Sequence, residues 1–227
     1  MSKSACEWLH RTLEVLPLIR YPFDPESLPY NGLYFFYEKG EVWGHGGDQL
    51  GIVRVGTHND GNFRSRMSEH FLLNERKMDF DAKSSAPHDR SIFRKHIGRA
   101  LLNKEGDSYL EIWNHDFTVK KNIRKYGYKL DIVKEKKIER EVTDILRKKF
   151  SFRFIPVAGQ RKRKDLEKRL IGTLAQCNLC QASTRWLGHH SPKKQIREYG
   201  LWLIQHLGSP EITLEDRRAF EEYIKQA

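Results

Sequence analysis

Two spacings of apolar residues along the chain predict two kinds of secondary structure. Aromatic and aliphatic runs at residues 32–37 and 52–55, and the alternating phenylalanines of residues 150–155, are typical of β-strands. The glycine-rich segment 40–51 favours a hairpin connection between the first two runs. The pattern therefore predicts a small antiparallel sheet of three core strands.

Apolar residues three or four positions apart predict helices packed over this sheet. Segments with this spacing are residues 1–19, 63–71, 91–103, 134–149, 166–174, 193–206 and 213–226. Residues 109–113 combine aromatic and β-branched side chains and are interpreted as a strand. The expected fold class is α+β, a sheet flanked by helices.

The elements are arranged as one domain with additions at its edges. Residues 1–30 are predicted to form an N-terminal helical arm, and residues 180–227 a helical C-terminal extension. The domain of residues 31–179 has an insertion at about 75–148, where the pattern is less regular. A chain of 227 residues can bury the core of one such domain.

The charge balance indicates a partner. The chain has 41 Lys and Arg against 30 Asp and Glu, a formal charge of +11, and a pI near 9.5. Such basic proteins favour polyanions, so DNA is the expected partner. No apolar run reaches the roughly 18 residues of a membrane span, and acidic residues within residues 1–18 are unlike a signal peptide. We expect no membrane contact and a cytoplasmic location.

Three cysteines, Cys6, Cys177 and Cys180, are too few for a disulfide framework. Cys177 and Cys180 have the spacing of half a zinc knuckle, which His189 and His190 could complete. The sequence has no second pair of this spacing, and cysteine is a common small buried residue. Simple burial is therefore favoured over zinc binding.

One acidic residue lies at an unexpected position on its predicted helix, close to the apolar face. Glu167 precedes three apolar residues of the same helix by three, four and seven positions, so it projects along or beside their face. Such a carboxylate is costly unless a cation or hydrogen bonds compensate for it. The simpler alternative is a boundary residue that pairs with Arg163 or Arg169. Taken singly, Tyr34 is most simply a packing residue, and the pair Arg66 and His70 a solvated helix face.

In chain order, these residues resemble the GIY-YIG nucleases. The resemblance covers residues 31–74 and 149–179, and the order of strands and helices also matches. The residues that carry it are Gly32-Leu-Tyr34 in the first strand, Arg54-Val-Gly56 in the second, Arg66 and His70 on the first helix, Leu166-Glu167-x-x-Leu170-Ile171 on a later helix, and Asn178.

The resemblance implies a metal-dependent DNA endonuclease. It assigns activation of the attacking water to Tyr34 and the scissile phosphate to Arg66. It assigns to His70 either a proton relay or the task of holding the nucleophile's environment. It implies that Glu167 ligates a divalent ion, Mg²⁺ or Mn²⁺, which suits a carboxylate with waters and phosphate oxygens. Phosphodiester hydrolysis needs these parts, and the planar fork of arginine suits phosphate. The residues expected to support the site are Gly32, Gly56 and Asn178.

The second half-motif departs from the family, because Arg54 stands where the family has tyrosine. Alternation along a strand predicts that Ile52 and Arg54 share a face. Arg54 then points either to the site or directly away from it. If it faces the site, we hypothesise that it takes the role of the missing tyrosine and favours tyrosinate at Tyr34 or neutralises phosphate, since an unshifted tyrosine with a pKa near 10 is a poor base. His58 is a candidate extra base. The basic turn expected to contact DNA is Arg161, Lys162, Arg163 and Lys164.

Other interpretations stay open. The chain could be a DNA-binding module that keeps the fold without catalysis, since residues 120–149 carry twelve basic and five acidic residues. Tyr126 and Tyr128 could stack on bases there, or serve as hydrophobic anchors. The segment 186–190 is expected to provide DNA contacts or a dimer surface. A homodimer on a symmetrical site is one way to cut both strands.

Two further catalytic interpretations are weaker. Residues 57–60 and 114–116 combine His with Asn and Asp, as in a His-Asn metal-finger nuclease, but lack the downstream ligands that such chemistry needs. Asp131, Glu135 and Lys137 could belong to a carboxylate-and-lysine nuclease site. The surrounding lysines favour an ordinary solvated face.

Overall fold

A computed structural model describes residues 4–82 and 84–226 of the chain. The strands are β1 (Ile19–Arg20), β2 (Gly32–Val42), β3 (Leu50–Gly56) and β4 (Phe150–Pro156). The helices of the described residues are α1 (Ala5–Leu13), α2 (Phe63–Phe71), α3 (Pro87–Arg90), α4 (Ile92–Lys104), α5 (Leu110–Trp113), α6 (Lys120–Tyr126), α7 (Ile132–Lys149), α8 (Gln160–Ala175), α9 (Lys194–Tyr199) and α10 (Leu214–Lys225). The predicted α+β class is confirmed.

The sheet is antiparallel and has the strand order β1-β4-β2-β3. The three predicted strands correspond to β2, β3 and β4. The predicted number of strands is wrong by one, because β1 pairs with the outer edge of β4 through Ile19 and Phe152. A strand of two residues is too short to produce a readable alternation.

Strand β2 lies in the centre of the sheet and is buried on both faces, which divides the molecule into two hydrophobic cores. Leu33, Phe35 and Tyr37 enter the core that holds α1, α8 and α10. Tyr34 and Phe36 enter the other core, which holds α2, α4 and α7. The alternation of side chains along β2 therefore decides which residues belong to each core.

The predicted long helices agree with α4, α7 and α10 to within two residues at each end. Helix α8 begins six residues before the predicted segment, because the basic residues 161–164, predicted to form a turn, are helical. In α2, Phe63, Met67 and Phe71 are fully buried, as their spacing predicts. The N-terminal helix is shorter than the predicted 1–19. It begins after Ser4, whose side chain accepts a hydrogen bond from the Glu7 N–H. Residues 1–3 lie outside the described residues.

The strand predicted at residues 109–113 is wrong, because this segment forms the short helix α5. Its Trp113 is completely buried, stacks on His88 at 3.8 Å, and covers Gly98 of α4. A Cβ at Gly98 would lie 2.3 Å from the Trp113 ring. Tertiary packing of the indole therefore overrides the local preference for a strand.

The helix predicted at residues 193–206 ends early, at Tyr199. Gly200 adopts a left-handed conformation with φ +63°, which terminates the helix. The following residues form bends and turns, and the Trp202 N–H donates to the Val53 carbonyl at 2.8 Å. This segment therefore contacts β3 at Val53.

Two tryptophans attach the C-terminal region to β2. The indole N–H groups of Trp186 and Trp202 both donate to Glu38 Oε2, each at 2.9 Å, and both rings are buried. The prediction that segment 186–190 is a contact surface is therefore wrong for Trp186, whose side chain belongs to the core. His189 and His190 are exposed.

A buried ion pair holds the predicted insertion against α2. The Arg94 guanidinium of α4 donates to Glu139 of α7 and, at 3.0 Å, to the His70 carbonyl. Both charged side chains are inaccessible to solvent. Removal of one partner of such a pair is strongly destabilising, because the other charge stays buried alone. The helices of the insertion are thus fixed to the helix that carries Arg66 and His70.

Candidate active site

The phenol of Tyr34 lies directly over Gly56 on the neighbouring strand. The two residues are paired in register between β2 and β3, and Tyr34 is only 2% exposed. A Cβ at position 56 would lie 2.3 Å from the Tyr34 hydroxyl oxygen, so only glycine fits there. The phenol can therefore cross β3 towards the loop that follows it.

Tyr34 is connected to His70 and Ser91. The Tyr34 hydroxyl lies 3.3 Å from His70 Nε2, and His70 Nδ1 lies 2.8 Å from Ser91 Oγ. A phenol O–H that donates to Nε2 leaves Nδ1–H to donate to Ser91. Sequence reasoning missed Ser91, whose available signal was its position as N-cap of α4, where its Oγ accepts from the Arg94 N–H.

His70 is buried in an environment that disfavours its charged form. Burial lowers its pKa well below the usual 6.5, and the charges of Arg54, Arg66 and Arg94 act in the same direction. The ring is surrounded by the edges of Tyr34, Phe36 and Phe93. His70 is thus a neutral imidazole at physiological pH.

Arg54 projects towards the face of the sheet that holds Tyr34. A bulge in the β2–β3 ladder pairs Phe36 with Arg54 but Tyr37 with Ile52. The prediction that Ile52 and Arg54 share a face is therefore wrong, because the extra residue breaks the alternation. The Arg54 guanidinium donates to the Trp202 carbonyl and lies 4.9 Å from the Phe93 ring.

The pKa of the Tyr34 phenol is raised by burial, and the charges of Arg54 and Arg66 oppose that rise. The negative charge of Glu167 adds to the rise. Arg54 thus supports phenolate at Tyr34, but desolvation is the larger effect.

Glu167 of α8 is half-buried and faces the end of β3. Its Oε1 accepts a hydrogen bond from the Thr57 N–H at 3.0 Å, one residue beyond Gly56. Burial raises the pKa of this carboxyl, against the opposing charge of Arg54. The alternative pairing with Arg163 or Arg169 is wrong, since their carboxylate partners are Asp60 and Asp216.

Arg66 lies at the mouth of the site. Its guanidinium donates to Glu69 at 3.1 Å and to the Arg90 carbonyl at 2.8 Å, and its side chain is 35% exposed. It borders a polar cleft of about 340 Å³. The cleft is lined by His58, Asn59, Asn62, Ser65, Arg66, Glu69, Asp89 and Arg90. Of the two predicted catalytic residues that line this cleft, Arg66 is more exposed than His58.

Both ring nitrogens of His58 are engaged by backbone groups. Its Nε2 accepts from the Gly32 N–H at 3.1 Å, so Nδ1 carries the proton that donates to the Asn59 carbonyl at 2.5 Å. Burial also lowers its pKa. His58 therefore has no free ring nitrogen with which to act as an extra base. Its two hydrogen bonds connect β2 to the loop after β3.

The predicted supporting residues lie in different places. Gly32 borders His58 and permits close approach of β4, because a Cβ there would lie 2.6 Å from the Ile155 carbonyl oxygen. Asn178 lies in an exposed loop beyond the end of α8, more than two helical turns after Glu167.

The four basic residues 161–164 differ in their exposure to solvent. Arg161, Lys162 and Lys164 are exposed, whereas Arg163 is completely buried and donates to the carbonyls of Val157 and Ala158. The prediction that Arg163 contacts DNA is thus wrong, because its guanidinium closes the turn between β4 and α8.

The weaker catalytic interpretations have structural explanations. Asp131 caps α7 by accepting from the Lys134 N–H, and Glu135 is buried against the Tyr109 hydroxyl. The His115 ring stacks on Tyr126 at 3.7 Å. Tyr128, by contrast, is 82% exposed.

Comparison with known families agrees with this arrangement. The model of the GIY-YIG domain family matches residues 21–226, which include the predicted insertion and most of the C-terminal extension. The chain therefore belongs to the GIY-YIG domain family, whose members are nucleases that act on DNA. No curated protein and no solved structure gives a significant match. Within the described residues, no helix is both long and apolar enough for a membrane span.

The environment of His70 predicts its titration. Its imidazole should stay neutral well below pH 6.5, because burial and three nearby guanidiniums disfavour the imidazolium. The unfolded state binds a proton that the native state does not, so this group lowers stability as pH falls below 6.5. Nitrogen-15 chemical shifts of labelled histidine measure the titration. Titration of His70 near 6.5 would contradict the described geometry.

Proposed function

We propose that this protein is a divalent-metal-dependent endonuclease that hydrolyses phosphodiester bonds in DNA. The observation that carries the proposal is the convergence of the Tyr34 phenol and the Glu167 carboxylate on consecutive backbone positions, Gly56 and Thr57. Arg54 acts electrostatically on both groups. Such a cluster of perturbed acids beside a cation is typical of a catalytic site.

In this proposal Tyr34 orients and activates the attacking water. Its hydroxyl proton is directed to His70 Nε2, which leaves the oxygen lone pairs free to accept from a water. The water passes its proton to the minor phenolate form of Tyr34, which the charges of Arg54 and Arg66 favour. His70 acts as the neutral acceptor that holds the phenol in place, and Ser91 holds His70.

Arg66 is proposed to bind the phosphoryl oxygens. At present its guanidinium is paired with Glu69 and with a backbone carbonyl at the edge of the polar cleft. A phosphate in this cleft would compete for the same donors, because the planar fork of arginine binds phosphate at two points. Glu69 thus keeps Arg66 oriented until the substrate arrives.

Glu167 fits a site for a divalent ion. Its Oε1 is fixed by the Thr57 N–H, and no Lys or Arg nitrogen of the described residues lies within 4.0 Å of the carboxylate. A half-buried carboxylate without a cationic partner suits Mg²⁺ or Mn²⁺, which prefer oxygen ligands. A bound ion would supply Lewis-acid stabilisation of the phosphoryl and leaving oxygens.

The exposed cations at the start of α8 favour contact with the DNA backbone. Arg161, Lys162 and Lys164 lie on the helix that carries Glu167, within its first turn and a half. Their contribution would weaken with increasing salt, since phosphate neutralisation releases counterions.

A DNA-binding module without turnover is the second candidate. It is favoured by Arg54, which replaces the family's second tyrosine and has a structural bond to the Trp202 carbonyl. Metal-dependent cleavage of plasmid DNA separates the two candidates. The second predicts retardation of DNA in a gel with no cutting in Mg²⁺ or Mn²⁺.

The first experiment is the substitution Glu167→Gln, with nicking and linearisation of plasmid DNA measured in Mg²⁺ and in EDTA. We expect a loss of about a hundredfold or more in rate, about 2.7 kcal/mol in the barrier, because the amide is a poor metal ligand. DNA affinity should be unchanged, since the amide oxygen can still accept from Thr57. The matched control is Asp165→Asn, an exposed carboxylate on the same helix. Wild-type cleavage by Glu167→Gln would refute the metal role.

A second experiment concerns Arg54. Arg54→Ala should slow cleavage at pH 7 about tenfold or more and shift the pH–rate profile to higher pH, because one pKa unit changes the phenolate fraction tenfold. Arg54→Lys keeps the charge and should restore part of the rate without the shift. Unfolding curves establish that both variants fold. An unshifted profile in a folded Arg54→Ala would mean that Arg54 does not act through Tyr34.

A further inference from the structure

Four potential metal ligands from three distant parts of the chain meet beside the β2–β3 hairpin. Cys6 belongs to α1, His45 to the loop between β2 and β3, and Cys177 and Cys180 to the segment after α8. One ligand atom of each residue lies within 4.8 Å of all the others. None of these residues takes part in the proposed hydrolysis.

The measured separations fit a tetrahedral site. Cys6 Sγ lies 3.7 Å from Cys180 Sγ, and Cys177 Sγ lies 3.5 Å from His45 Nε2. Zinc–sulfur bonds of about 2.3 Å and zinc–nitrogen bonds of about 2.0–2.1 Å place ligand atoms of a tetrahedron about 3.5–3.8 Å apart. A disulfide would require sulfur atoms about 2.05 Å apart, and all three cysteines are free thiols.

Hydrogen-bond donors surround the sulfur atoms. The Gly44 N–H donates to Cys180 Sγ at 3.3 Å, as backbone groups do to metal-bound thiolates. His10 Nε2 accepts from the Ile52 N–H at 3.2 Å, so the proton is on Nδ1, which lies 3.0 Å from the Cys6 carbonyl oxygen and 3.6 Å from its Sγ. The cluster therefore has the outer contacts that hold ligands in a defined orientation.

The backbone is shaped to close this site. A Cβ at Gly44 would lie 1.8 Å from the Leu179 carbonyl oxygen, so the hairpin loop and the Cys177–Cys180 segment are in direct contact. Cys6 is buried, and the other three ligands are partly buried. Four protein ligands leave no open position, which is the property of a structural zinc site.

We propose that Cys6, His45, Cys177 and Cys180 bind one structural Zn²⁺. Three sulfurs and one imidazole are the ligand set of closed zinc sites, and soft thiolates select Zn²⁺ over Mg²⁺. The ion joins α1 and the β2–β3 hairpin to the C-terminal end of α8. Because α8 carries Glu167, the site would also limit movement of that helix relative to the sheet.

The histidines that the sequence suggested as possible partners of this pair of cysteines lie outside the cluster. His189 Nε2 is bonded to the Ser183 carbonyl at 2.8 Å, and its ring packs edge-on against Trp186. Neither His189 nor His190 belongs to the cluster. The ligands that complete it precede the cysteines by more than 130 residues, so local spacing could not reveal them.

The test is the metal content of the full chain purified under reducing conditions, by inductively coupled plasma mass spectrometry. We expect close to one Zn²⁺ per chain. Replacement by Co²⁺ should give thiolate-to-cobalt charge transfer and the intense visible bands of tetrahedral coordination. Absence of both zinc and the cobalt spectrum in the folded, reduced protein overturns the proposal.

Substitutions assign the ligands without relying on nuclease activity. His45→Ala, in a partly exposed loop, should lower Zn²⁺ affinity at least tenfold while the circular dichroism spectrum is retained. The matched control His189→Ala should keep full zinc content. Cys177→Ser should weaken the charge-transfer band. Equal zinc content in all three variants would overturn the assignment, whether or not the protein cuts DNA.

Discussion

The packing of the Tyr34 phenol on Gly56 is the contact on which the geometry of the candidate site depends. It requires the register that pairs these residues between β2 and β3. A slip by one residue would turn Tyr34 into the opposite core, because side chains alternate along a strand. The same register places the Thr57 N–H where Glu167 binds. The central strand therefore determines both the architecture of the two cores and the separation of the phenol from the carboxylate.

Burial gives the site a consistent electrostatic character. It raises the pKa of Tyr34 and Glu167 and lowers that of His70, so each group is less charged than in water. The cations Arg54 and Arg66 oppose this effect at the phenol. A bound divalent ion would compensate the negative charge of Glu167, and a phosphate would compensate the positive charges of Arg54 and Arg66. The preorganised donors would then act in a partly water-excluded site, where electrostatic interactions are stronger.

The sequence predicted features that depend on local periodicity, such as the strands, α2, and the awkward position of Glu167 beside an apolar face. It could not predict features set by long-range packing. The bulge that places Arg54 and Ile52 on opposite faces of the sheet depends on the pairing of β3 with β2. Ser91, the N-cap of α4, contacts His70 only because α4 packs on α2. Arg163 was predicted to belong to a basic surface, but its side chain is buried and closes a turn. A sequence of consecutive charged residues does not indicate which of them are buried.

The family membership and the convergence of Tyr34 with Glu167 make the location of the proposed divalent ion the central question. Anomalous diffraction at the manganese edge, from crystals soaked in Mn²⁺ with bound DNA, measures that location directly. We predict a peak about 2 Å from a Glu167 carboxylate oxygen, and the edge energy distinguishes it from any zinc at the cysteine cluster. A manganese peak remote from Glu167, in crystals whose DNA is cut, would contradict the account.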